Sequence, residues 1–428
     1  MGPPPRRNRG VARLTIAPRD ASQDTTSPWK VGPMRHLITG SRVIALLACL
    51  SLAAGCGSAA TVLPSGAPAT SAATVPAGAA PAAVVPAVPA AAAPAAGAKR
   101  ADLLNGVACA GRQCIAVGGY YDGTAASRTL VELWTGSAWR LEPSPDGPRY
   151  SALQAVSCDP AGCLAVGSPV IAGSGGRWRL VSLASPLNAV SCAVGSCLAV
   201  GGTSRAPRYA SWDGRAWRAA AMHAPPPPAQ SVTVAGVSCP SAPDCVAVGD
   251  YSSGATAQPG GSFRDKTLAE QWNGSTWRLL PTVNVGRVDQ LTAVSCPSPG
   301  ACTAVGTAAQ QYPLAERWNG TAWRAEPVPA PGSVGYTKLT AVSCPSDAWC
   351  VAVGSYQGQP VAEVWNGRTW RLQRLPEPPA DNDSAQLTGV SCARPTACLA
   401  VGVSGSGRSY AEQYNGVSWR LAATQNPA

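Results

Sequence analysis

Residues 339–372, LTAVSCPSDAWCVAVGSYQGQPVAEVWNGRTWRL, hold the unit from which most of this 428-residue chain is built. Leu339–Cys344 and Cys350–Gly354 are short, apolar and β-branched runs on either side of a turn, the pattern of strands buried on both faces. Val361–Trp365 and Thr369–Leu372 alternate apolar with charged residues around Asn366-Gly367, a strong hairpin signal because both residues tolerate positive φ. The unit predicts a four-stranded antiparallel sheet. Its first half, an apolar residue, V-[SA]-C, four or five residues and C-x-A-V-G, occurs seven times between residue 102 and the C-terminus. The cysteine pairs are Cys109/Cys114, Cys158/Cys163, Cys192/Cys197, Cys239/Cys245, Cys296/Cys302, Cys344/Cys350 and Cys392/Cys398, with first cysteines 49, 34, 47, 57, 48 and 48 residues apart.

A four-stranded sheet repeated every 40–50 residues or so has the period of β-propeller blades, which bury their faces against neighbours around an axis. The reading for 102–428 is therefore an all-β, seven-bladed propeller. The strand order resembles a WD-repeat blade, and G-x-[TASV]-W turns such as Gly274-Ser275-Thr276-Trp277 and Gly367-Arg368-Thr369-Trp370 resemble part of the Asp-box of sialidase-like propellers. The WD dipeptide is missing from every unit but the third (Trp212-Asp213) and the Asp-box aspartate position holds Trp or Tyr in six units, so the resemblance implies architecture rather than activity. The second unit departs most. After Cys163 it passes through SPVIAGSGGRWRL without the Asn-Gly turn or the third-strand Trp. The repeats start at a first strand and end at a fourth, which offers no strand exchange to close the ring.

Two cysteines flanking a tight hairpin sit at a separation a disulfide accepts, so pairing within each unit is expected. Zinc would need four converging ligands, and seven pairs do not divide into fours. Neither a metal nor a cofactor is expected. Trp-Arg follows the last turn in every unit (Arg140, Arg179, Arg218, Arg278, Arg324, Arg371, Arg420), and Glu132, Glu270, Glu316, Glu363 and Glu412 precede the third-strand aromatic. Charges repeated in every blade lie on a ring, so stacking on Trp or Arg–Glu pairing is the expected role.

The N-terminal quarter reads differently. From Met34, Arg35 and Arg42 precede an apolar stretch, Val43 to Gly55, too short to span a bilayer and laid out as a secretory signal. Ala53-Ala54-Gly55-Cys56 resembles a bacterial lipobox, which implies a lipid on Cys56, although Ala53 stands where Leu is usual. The expected organisation is a mis-assigned start or extension at 1–33, a signal at 34–55, an Ala/Pro-rich tether at 56–101 and the propeller at 102–428. It implies an exported protein anchored at the outer face of the cytoplasmic membrane or cell envelope, a compartment that suits disulfides. The formal charge of +11 does not indicate a nucleic-acid partner. Residues 1–55 carry eight Lys/Arg and two Asp/Glu, and what remains is 25 basic against 20 acidic residues without a run that would follow phosphates.

In such a blade the disulfide turn and the Asn-Gly turn emerge at one end, and the longer loops at the other. Ligand-face candidates in those loops are Tyr120, Tyr121, Tyr209, Tyr251, Phe263, Tyr312, Tyr356 and Tyr410, whose rings and hydroxyls suit a glycan or protein surface. Only two histidines occur, His36 in the signal and His223 in an inter-blade loop, which removes the usual base for a nucleophilic triad. The leading expectation is a non-catalytic binding propeller, and the alternative is a sialidase-like or other glycoside hydrolase. A tyrosine, a carboxylate and three non-repeated arginines gathered at the axis would favour the enzyme.

Overall fold

The computed structural model describes Gly2 and residues 101–426, apart from 124–125, 149, 184–185, 223–228, 254–263, 334 and 379–383. The signal, Cys56, the tether up to residue 100, both histidines and Phe263 lie outside the described residues. The chain divides into Met1–Pro86 and Ala87–Ala428, and the second unit carries all the described strands. Blade 1 comprises β1 (Asp102–Ala110), β2 (Gln113–Tyr121), β3 (Ser127–Trp134) and β4 (Trp139–Leu141). Blade 2 comprises β5 (Ala152–Asp159), β6 (Gly162–Ser168), β7 (Ile171–Ser174) and β8 (Arg177–Leu180). Blade 3 comprises β9 (Leu187–Ala193), β10 (Ser196–Thr203), β11 (Ala206–Trp212) and β12 (Trp217–Ala221), and four more sheets follow in the same order. Each first strand lies against those of its two neighbours, and β1 meets the first strand of blade 7 (Ala385–Arg394). The molecule is a closed seven-bladed propeller whose first strands surround the axis.

The repeat motif is explained by contacts between blades. A bulge in each first strand falls at Asn105, Gln154, Asn188, Ala235, Thr292, Thr340 or Thr388. A bulge re-aims its side chain, and five of these reach the next blade. Asn105 Nδ2 donates to the carbonyl of Leu153 at 2.8 Å, Asn188 Nδ2 to that of Val234 at 2.9 Å, and Thr292 and Thr340 to those of Leu339 and Leu387, both at 2.6 Å. Thr388 closes the circle on the carbonyl of Leu104 at 2.5 Å. The glycine of C-x-A-V-G lies opposite the bulge, and a Cβ on Gly118 or Gly402 would sit 1.7 or 1.9 Å from the carbonyl oxygen of Leu103 or Gln386.

The serine of V-S-C forms a second ring of ties. The N–H of Cys192, Cys239, Cys296, Cys344 and Cys392 donates to the serine Oγ of the preceding blade, and Cys109 N–H donates to Ser391 Oγ at 3.0 Å across the closure. Blade 1 has Ala108 at this position and so offers blade 2 no hydroxyl. Closure therefore uses the same bonds as every other seam, together with Asp102 N–H on the Gly407 carbonyl at 2.6 Å and Gln425 N–H on Glu132 Oε2 at 3.2 Å.

All seven expected disulfides are present, with Cα atoms 3.9–4.1 Å apart. The Asn-Gly turns form for a reason that differs in part from the sequence expectation. Gly274, Gly320, Gly367 and Gly416 take φ of 92, 91, 90 and 96°, whereas their asparagines are not at positive φ. Instead the side-chain oxygen of Asn273, Asn319, Asn366 or Asn415 accepts two backbone N–H bonds from the turn. This is an Asx-turn, in which the side chain substitutes for a backbone acceptor.

Candidate functional site

The tyrosines expected to form a ligand face are distributed around the ring. Tyr121 and Tyr312 are exposed, while Tyr120, Tyr251 and Tyr356 are half-buried. Tyr209 and Tyr410 must be withdrawn from that face, because both lie within strands and pack between blades. Tyr209 meets Trp272 and Trp277 at ring-centroid distances of 5.0 and 5.7 Å. Tyr410 is buried and donates its hydroxyl to Glu412. Period-two alternation turned these side chains into the interface, although the loop begins only a few residues away.

The expectation for the repeated charges also needs correction. All seven arginines that follow the fourth-strand Trp are exposed, whereas Glu132, Glu270, Glu316, Glu363 and Glu412 are at most 1 % exposed. Their side chains face the preceding blade. Among the described residues no arginine pairs with them: Arg218 pairs with Asp213 at 3.3 Å, and Arg278 donates to Gln271 Oε1 at 2.8 Å. Burial pushes the carboxyls of Glu132, Glu270, Glu316 and Glu412 up to about 7 and that of Glu363 to about 8, from an ordinary 4.5. The donors available depend on the linker packed above. Glu316 accepts from Val283 N–H at 3.2 Å and Glu132 from Gln425 N–H at 3.2 Å. Six residues after the fourth-strand Trp, where Val283 and Gln425 stand, the linkers before Glu363 and Glu412 carry Pro329 and Pro376, which have no N–H to give. Strongly shifted carboxyls often mark catalysis. These five are sealed between blades at one repeated position, where no substrate can reach them.

An axial channel runs between the first strands of the blades. Its wall is formed by the bulged residues named above and by the Gly, Ala and Val that follow them, among them Gly106, Ala155, Val237 and Val294. Among the described residues it is lined by no tyrosine, carboxylate or arginine. Among them there is likewise no group of three or more His, Cys, Asp or Glu able to hold a metal ion.

Clefts open between blades 1 and 2 and between blades 7 and 1, and a larger one lies between blades 2 and 3, towards the end that bears the disulfide turns. It is a cleft of about 740 Å³ with Trp212 and Trp217 on the blade 3 side and Ala172, Gly173, Ser174, Arg177 and Arg179 on the blade 2 side. Its origin is visible when the seams are compared. Every blade but the second presents two aromatic rings, on its third and fourth strands, to the blade before it, and at three other seams a bulky side chain packs on them. Tyr209 covers Trp272 and Trp277, Arg317 lies 4.5 Å from the Trp365 ring centroid, and Trp349 stacks on Tyr414 at 6.1 Å. The residue before the third-strand aromatic faces the next blade; it is Leu133, Gln271, Arg317, Val364 or Gln413 in five of the other blades and the small Ser211 in blade 3, where Tyr209 supplies the bulk instead. In blade 2 it is Ala172. Trp212 and Trp217, with ring centroids 5.5 Å apart and planes at 41°, are both left half-buried; in blade 4 only Trp277 is, and Trp134, Trp139, Trp318, Trp323, Trp365 and Trp370 are at most 7 % exposed.

Blade 2 is short for a related reason. Gly173 occupies the third-strand aromatic position, and a Cβ there would lie 2.5 Å from the Trp178 ring, which folds across it. Trp178 is anchored to blade 1 by donating Nε1–H to Glu142 Oε2 at 2.8 Å. The cleft was legible in the sequence only as the irregular run SPVIAGSGGRWRL.

No protein-family model matches the sequence, and no curated protein matches it. Among solved structures, the chain is similar in backbone shape to YCF48 from Cyanidioschyzon merolae (13% identity, 76% of this chain and 97% of that one, TM-score 0.46). It is also similar to the β-propeller domain of the Trilobed protease from Pyrococcus furiosus (8% identity, 76% and 99%, TM-score 0.49). A third is the fucose-specific lectin from Aleuria aurantia (12% identity, 76% and 96%, TM-score 0.43). These are likenesses of shape, and no ligand or activity follows from them.

Proposed function

We propose that this chain is an exported, lipid-anchored, non-catalytic propeller that binds a glycan or protein partner at the cell envelope. The observation that carries the binding role is the uncovered Trp212/Trp217 pair in a concave cleft beside two cationic side chains. Indole faces in a concavity of this size are what small-ligand and glycan sites are made of. A propeller without a ligand would gain by covering both rings, and in no other blade with a tryptophan pair are both left half-buried. Export is supported by the signal-like segment at 34–55 and by seven disulfides, which persist in oxidising compartments. Anchoring through Cys56 rests on the lipobox-like sequence. No helix of the described residues is long and apolar enough to cross a membrane.

The test is a binding screen of the purified exported protein against arrayed glycans and envelope extracts, repeated with Trp217→Ala. Trp217→Ala is expected to weaken any captured ligand at least about tenfold, the scale of losing one buried aromatic contact, while the circular-dichroism melt shows the ring intact. Retention in the membrane fraction should be lost with Cys56→Ala. Glycoside cleavage without ligand retention would overturn the assignment.

A further inference from the structure

If the chain is a binding propeller, the cleft between blades 2 and 3 also narrows the class of its ligand. Arg177 lies outside the repeat. The residue just before the fourth-strand Trp is Ala138, Ala216, Thr276, Ala322, Thr369 or Ser418 in the other blades, and only blade 2 places a long cation there. Alternation along β8 fixes its direction. Trp178 turns to blade 1, where Glu142 holds its indole N–H, so Arg177 and Arg179 project to the opposite face and both line the cleft towards blade 3. Among the described residues neither guanidinium has an ion-pair partner.

The one acid on the wall is Asp159, and its carboxylate is already occupied. Oδ1 accepts from the N–H of Ala161 at 2.8 Å and of Gly162 at 3.1 Å, and Oδ2 accepts from Gly195 N–H of blade 3 at 2.9 Å. The cleft thus pairs two flat apolar rings with two unneutralised guanidinia. We propose that it binds a carboxylate-bearing sugar, with the C–H face of the pyranose on the indoles of Trp212 and Trp217 and the carboxylate held by Arg177 and Arg179. Guanidinium matches a carboxylate in planar, two-bonded geometry, and a glycine-rich wall (Gly162, Gly173, Gly195) leaves backbone polar groups within reach of hydroxyls. A peptide strand is the poorer occupant, because an added strand could pair only with the short outer edges of the two blades, four residues of β8 or five of β12.

The test is calorimetric titration of the exported protein with a disaccharide of glucuronic acid and N-acetylglucosamine, and with the neutral glucosyl counterpart. The acidic disaccharide should bind about tenfold or more tightly than the neutral one, and the preference should shrink as salt is raised. Arg177→Ala installs the residue that blades 1, 3 and 5 carry at this position, so the ring should fold normally, lose the preference for acid and keep its affinity for the neutral sugar. Trp217→Ala should lose both. Equal binding of the two disaccharides, or an Arg177→Ala protein with the preference intact, overturns the acidic-sugar assignment while leaving the binding role in place. Binding of an acidic peptide in preference to both disaccharides overturns it in favour of a protein partner. Absence of any captured ligand in the broader screen removes the binding role as well.

Discussion

Reduction of the seven disulfides is expected to abolish the closed ring at 37 °C. Each bridge closes a loop with a sequence separation of 5 or 6, for which the chain-entropy model gives about 2 kcal/mol. Seven such contributions are comparable with the whole stability of a typical folded domain, about 5–15 kcal/mol. The bridges also hold the strands that carry the inter-blade serines and bulges, so losing them weakens every seam together. Cys114, Cys245, Cys302, Cys350 and Cys398 are buried, and reduction will therefore need mild denaturant or heat to expose them. Melting followed by circular dichroism, with and without a strong reductant, should show the transition falling by well over 10 °C, on a scale of roughly 2–4 °C per kcal/mol for domains of 150–250 residues. Removing a single bridge by Cys344→Ala with Cys350→Ala should shift it by only a few degrees. A fully reduced protein that melts with the oxidised one would show that packing alone holds the ring. The same reasoning predicts soluble protein from an oxidising compartment and aggregated protein from a reducing one.

The second large effect is on pH, and its direction follows from the buried glutamates. Each has a folded-state carboxyl pushed up to about 7 or 8, whereas in the unfolded chain it titrates near 4.5. Below about 4.5 both states hold the proton and the groups do not affect stability. As pH rises from there to about 8, the unfolded chain releases its protons first, so the free energy of unfolding falls. Above that window the penalty is constant. Asp250, pushed up to about 7 by burial and by the neighbouring Asp265, acts in the same direction. One unit of pKa difference corresponds to about 1.4 kcal/mol, so a single such glutamate can shift stability by an amount on the order of 3 kcal/mol. The protein should therefore melt at a clearly higher temperature at pH 5 than at pH 8. Glu363→Gln keeps the shape and removes the charge, so it should raise the melting temperature at pH 8 and leave it nearly unchanged at pH 5. A melting temperature that is flat or rising over this range would falsify the buried, protonated state.

Much of the architecture can be read along the chain because its decisive patterns are local. The period of V-S-C and C-x-A-V-G gives the number of blades, the short Cys spacing dictates which thiols meet, and Asn-Gly places the outer hairpin. The roles of individual side chains were less accessible. The serine of V-S-C and the threonine of the bulge act on the next blade, roughly 48 residues away, and Gly118 is required only because a first-strand carbonyl comes close to it. Tyr209 and Tyr410 looked like loop residues until strand register turned them inwards, and the glutamates looked like partners for arginines that point to the other side of the sheet.

The cleft shows the same division. Its sequence signal is a lack of bulk at Ala172 and Gly173, which says nothing until the rings it leaves uncovered are known, and those rings, Trp212 and Trp217, belong to another repeat. By itself the sequence determined seven disulfide-clasped sheets, because strand pattern, turn chemistry and cysteine pairing are set within about 35 residues. Only the tertiary structure decided which surface is open, because exposure depends on what the neighbouring blade brings to the seam.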